Sequence, residues 1–105
     1  MNLQGKKLGL LIAAAPHQPN FLHGLGVAKA ALEAGVTVYL YFIDEAVRGL
    51  ADERLQELKQ RGVKLFACAY SAQRRHVEIT DHAVPSGLIL VNDLLTATDR
   101  FLNFN

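Results

Sequence analysis

The chain has 105 residues, 50% hydrophobic and 20% charged, which is enough apolar material for one compact domain spanning residues 1–105. Eleven Lys and Arg against ten Asp and Glu leave a net charge of +1, without the basic surplus behind general nucleic-acid binding or adhesion to anionic membranes. The apolar stretches fall far short of a bilayer span, no charged leader opens the chain, and the one cysteine, Cys68, excludes a disulfide-stapled fold; the expectation is a soluble cytoplasmic protein.

Leu8 to Ala13 is a continuous apolar run, as suits a strand covered on both faces of a parallel sheet. Pro16 and Pro19 then break the chain into a loop carrying His17. Asn20 reads as the N-cap of a helix whose Phe21, Leu25, Ala28 and Leu32 recur at helical spacing, and Gly35 ends it. Val36 to Ile43, rich in β-branched and aromatic residues, is a second buried strand, with Tyr39 and Tyr41 on one side and Phe42 on the other. Asp44 and Glu45 end it. Asp52 caps the next helix, which turns Leu55 and Leu58 inward and stops at Gly62.

Val63 to Ala67 is a short third strand that runs out at Cys68, followed by a short helix from Ser71 to His76. Val84 to Ser86 reads as a brief fourth strand, and Pro85, which has no N–H, places it at a sheet edge. Ser86 caps a last helix with Leu88, Val91, Leu95 and Thr98 on one side. Arg100 to Phe104 closes the chain as a strand, with Phe101 and Leu102 packing on the sheet. This alternation predicts an α/β domain with a mostly parallel sheet and helices on both faces.

The common chemical motifs are missing. Gly24-Leu-Gly26 lies inside the first helix, past the strand end where a phosphate would be cradled, so it reads as close helix–sheet packing rather than a dinucleotide loop. Asp44, placed like a ribose-binding acid, reads as a cap or turn residue without that loop. His17, His23, His76 and His82 lack metal-ligand spacing, and no metal site is expected. His17 belongs to a loop on the same sheet edge as Cys68 and reads either as a solvated histidine or as a site residue.

Cys68 stands at the carboxyl end of a strand, where parallel sheets keep their functional loops. The helix expected about three residues later offers N–H groups that favour a thiolate, and Arg74 and Arg75 add positive charge. On these facts alone Cys68 is either a small buried hydrophobe or a nucleophile.

The segment Leu65-Phe-Ala-Cys68-Ala-Tyr-Ser-Ala-Gln-Arg-Arg-His-Val77 resembles the active-site stretch of the DsrE/TusD family of sulfur-relay proteins. Ala97-Thr-Asp99-Arg100-Phe-Leu-Asn-Phe104 is similar to that family's closing strand, and the opening strand, loop and helix ending in Ala34-Gly35 fit its first third. The turn after the cysteine helix departs from the pattern, carrying His76 where a glycine is common. The resemblance implies a three-layer α/β/α domain with a five-stranded parallel sheet in order 4-3-2-1-5. It also implies a persulfide carried on Cys68, no cofactor, assembly as a homo-oligomer (trimer or hexamer), and donor and acceptor proteins as partners.

In that reading Ser71 and the N–H groups from Tyr70 to Ala72 stabilise negative sulfur, Arg74 assists, and Tyr70 shields the persulfide from water. Two other readings stay open. One is an oligomeric scaffold or small-ligand module with Cys68 inert and Tyr39, Tyr41 and Phe42 supplying contacts. The other is a redox-responsive thiol, which would need a second thiol from outside the chain.

Overall fold

A computed structural model describes residues 2–105. Its strands are β1 (Lys7–Ile12), β2 (Thr37–Phe42), β3 (Lys64–Cys68), β4 (Val84–Ser86) and β5 (Arg100–Phe104); its helices are α1 (Pro19–Glu33), α2 (Glu53–Gln60), α3 (Ala69–Arg74) and α4 (Ile89–Ala97). A 3₁₀ turn, Asp44–Gly49, follows β2. All strand pairs are parallel and the sheet order is β4-β3-β2-β1-β5, as expected.

Because side chains alternate along a strand, each strand feeds two cores. Leu10, Ile12, Val38, Leu40, Phe42, Leu65 and Ala67 pack with Phe21, Leu25 and Ala28 of α1 and Leu55 and Leu58 of α2. Phe21 meets Phe42 edge-on, ring centroids 5.6 Å apart. On the opposite face Tyr41 and Cys68 cluster with Leu94 of α4, bordered by Leu11, Tyr39, Phe66, Leu90, Val91 and Phe101. One nine-residue helix is thus the main cover of that face.

The structure moves several helix starts. α1 is capped by Gln18 rather than Asn20, because Pro19 takes the first helical position, where its fixed φ fits and its missing N–H costs nothing. α3 begins at Ala69, directly after Cys68, and ends before His76. Ser86 does not cap α4: it belongs to β4, opposite Cys68, and Leu88 stands at the helix start. The inward side of α4 is Leu90, Val91 and Leu94, while Leu88 and Leu95 face out. Leu102 is 43% exposed, on an edge strand that α1 only partly reaches. Gly24 does serve close packing, since a Cβ there would meet Ile12 at 2.7 Å, whereas Gly26 faces open space.

Candidate functional site around Cys68

β3 is an inner strand, so its carboxyl end is flanked by β2 and β4. There the chain turns straight into α3, and Cys68 becomes the N-cap residue: its Sγ accepts the Ser71 N–H at 3.4 Å. An N-cap acceptor relieves one of the free N–H groups that every helix start carries. Cysteine is an unusual choice for this position, and a thiolate would fill it better than a thiol because charge strengthens the bond. Cys68 is only 2% exposed, so the thiol lies beneath the surface rather than on an open loop.

Two hydroxyls flank the sulfur. Ser71, 3% exposed, accepts the Asp44 N–H on its Oγ at 3.0 Å, which leaves the hydroxyl proton free to point at Cys68. Asp44 reaches that position with a φ of 53°, at the first residue of the 3₁₀ turn. Tyr41 is fully buried, and its hydroxyl donates to Gly87 O at 3.0 Å while also lying within hydrogen-bonding reach of the Cys68 sulfur. Its one proton can serve only one of them at a time.

Burial pushes the Cys68 thiol up, but hydrogen bonds outweigh it. The Ser71 hydroxyl and N–H, the Tyr41 hydroxyl and the Tyr70 N–H together hold the thiol below its usual value. The same contact, added to burial, raises the Tyr41 phenol, which therefore stays neutral as a donor.

Of the other expected site residues, Tyr70 is 65% exposed, with its hydroxyl accepting from Arg74 Nη1 at 3.0 Å. The Arg74 guanidinium lies 5.7 Å from the Tyr70 ring centre, so the two side chains form a cation–π pair. His17 is exposed in the β1–α1 loop. Arg75, a turn beyond Ser71, ties α3 down: it donates to Glu45 and, through Nη1, to Ser71 O at 3.3 Å. Among the described residues, no three His, Cys, Asp or Glu side chains gather as a metal site.

Sequence reasoning singled out Cys68 and Ser71 and missed Tyr41 and Asp44. Strand parity alone places Tyr41 and Phe66 on one face, but the register that sets Tyr41 opposite Phe66, and so diagonal to Cys68, comes from the fold.

No curated protein matches the chain by sequence comparison. Among solved structures, the crystal structure of the ychN protein from E. coli is similar, with a TM-score of 0.82 at 16% identity, covering 94% of this chain and 99% of that one. At that identity the likeness concerns the fold. The sequence profile of the DsrE/DsrF-like family matches residues 6–104, nearly end to end, and the chain belongs to that family.

Proposed function

We propose that Cys68 carries sulfur as a persulfide and hands it to a partner thiol. The observation that carries this reading is the Ser71 N–H bonded to the Cys68 sulfur at 3.4 Å where β3 turns into α3, in surroundings that hold the thiol below its usual value. The Cys68 thiolate attacks the outer sulfur of a donor persulfide, R–S–SH. A new S–S bond forms, the donor's S–S bond breaks, and the donor leaves as R–S⁻. An acceptor thiolate then attacks the outer sulfur of Cys68–S–SH, takes it with its proton, and restores the Cys68 thiolate. No net oxidation occurs, and no cofactor enters. A thiol held below its usual value suits both halves: at a given pH more of it is thiolate, yet it stays nucleophilic.

The family, linked to sulfur relay, supports the same assignment. With it go a donor and an acceptor protein, assembly as a trimer or hexamer, and a cytoplasmic setting, where a lone thiol stays reduced. Burial favours a second reading, an oligomeric scaffold with an inert Cys68, because a thiol 2% exposed must be uncovered before it can meet a partner.

One experiment separates them. The native protein is treated with a small persulfide donor and its intact mass measured beside Cys68→Ser. Gain of one sulfur by the wild type alone supports the carrier. No gain, or equal gain by Cys68→Ser, leaves the scaffold.

A further inference from the structure

At the sheet edge opposite Cys68, where β1 and β5 begin, lies a groove of about 640 Å³, within the size range of small-molecule sites. Leu8 of β1, Val27, Ala30 and Ala31 of α1, and Val36 form an apolar wall, and the short alanine side chains are what leave the space open. Lys6, Lys7 and Arg100 also line the groove, and none of them has an ion-pair partner among the described residues; the Arg100 guanidinium donates from Nη1 to the Asp99 carbonyl at 2.8 Å. Among the described residues one acid lines the groove as well, Asp99, whose carboxylate accepts the Lys7 backbone N–H at 2.7 Å and offsets one of the positive charges.

From this arrangement we infer that the groove binds an aliphatic carboxylate, its chain along the α1 alanines and its anionic head at Lys6 and Arg100. Apolar walls alone would take any hydrocarbon, and cations alone any anion; the two side by side select a molecule that is both. Among the described residues no aromatic side chain lines the groove to stack a base or ring, which directs the choice to a flexible aliphatic body. The site is remote from Cys68, at the far end of parallel strands, so occupancy does not block the sulfur chemistry. A ligand here instead bridges α1 to the edge strand β5.

Titration calorimetry of the full chain with decanoate, decanol and decyltrimethylammonium tests the site. The expected result is saturable decanoate binding with Kd below about 1 mM, about tenfold or more tighter than for the other two amphiphiles. Arg100→Glu weakens it by about tenfold, the loss of one charge-assisted contact. Ala30→Trp, at an exposed position on the groove wall, abolishes it while the circular dichroism spectrum stays native. Absence of saturable binding, decanol bound as tightly as decanoate, or unchanged binding by a folded Ala30→Trp variant overturns the inference. So does an oligomer that Ala30→Trp dissociates without decanoate ever binding, since the groove is then filled by a second copy.

Discussion

Ser71 does two jobs with one hydroxyl: it accepts the Asp44 N–H and turns its proton to Cys68. Ser71→Ala removes both. The thiol rises toward its ordinary value, and the Asp44 N–H is left without its acceptor, at a cost of about 1–3 kcal/mol. Tyr41→Phe keeps the ring and loses only the hydroxyl, so Gly87 O goes unpaired and the thiol rises again. The measurement is the pH dependence of Cys68 alkylation in each variant. Because the folded thiol is held low, wild-type alkylation reaches half its plateau at a lower pH than in either variant. Identical profiles for all three proteins would remove these hydroxyls from the site. Cys68 and Ser71 were readable in the sequence because they are three residues apart, within one helical turn. Tyr41 was not, because its tie to Cys68 crosses between strands and depends on register.

The elements around the site carry strain and close packing that can be tested one residue at a time. His76 occupies the position just past the α3 cap with φ 55°, donating to Gln73 O at 3.3 Å, while Val77 N–H bonds to Ala72 O at 2.9 Å. This is the Schellman arrangement, which favours glycine there. His76→Gly is expected to raise stability by up to about 1 kcal/mol, a rise of a few degrees in melting temperature. Gly49 is the opposite case. A Cβ there would meet the Phe21 ring at 2.4 Å and Pro16 at 3.0 Å, so Gly49→Ala lowers stability by about 1–3 kcal/mol in denaturant unfolding.

Asp52 accepts the Arg54 N–H and pairs with its guanidinium, which holds the carboxyl below its usual value. A depressed folded value means this contribution is present above the unfolded value and fades as pH falls through the folded one. Asp52→Ala therefore costs about 1 kcal/mol at neutral pH, with the gap closing in strong acid. Of the three side-chain caps read from the sequence, Asp52 holds, while Asn20 and Ser86 give way to Gln18 and Leu88. The 3₁₀ turn was not readable there, since Asp44–Gly49 has neither the length nor the periodicity of a helix and owes its place to Ala46 and Val47 entering the core.

The burial of the strands was the easiest feature to read, because unbroken apolar runs such as Leu8 to Ala13 have few other uses in so short a chain; the strand order followed from the family resemblance, since such runs carry no information on which strands are neighbours. α4 was the hardest, for a physical reason. It is apolar on two sides: Leu90, Val91 and Leu94 pack on the sheet, while Leu88 and Ile89 are 62% and 77% exposed and Leu95 is 52% exposed. Periodicity cannot tell an inward stripe from an outward one when both are apolar. An outward apolar stripe over the thinly covered face of the sheet is what a surface buried by association would show in a lone chain. The trimer or hexamer proposed with the carrier reading makes this stripe the contact. Sedimentation should then give a mass three or six times that of the chain, and Ile89→Asp with Leu95→Asp should give a monomer with an unchanged circular dichroism spectrum. A wild type that sediments as a monomer, or a double variant that keeps the full assembly, would place the contact elsewhere and leave the exposed side of α4 to a different partner.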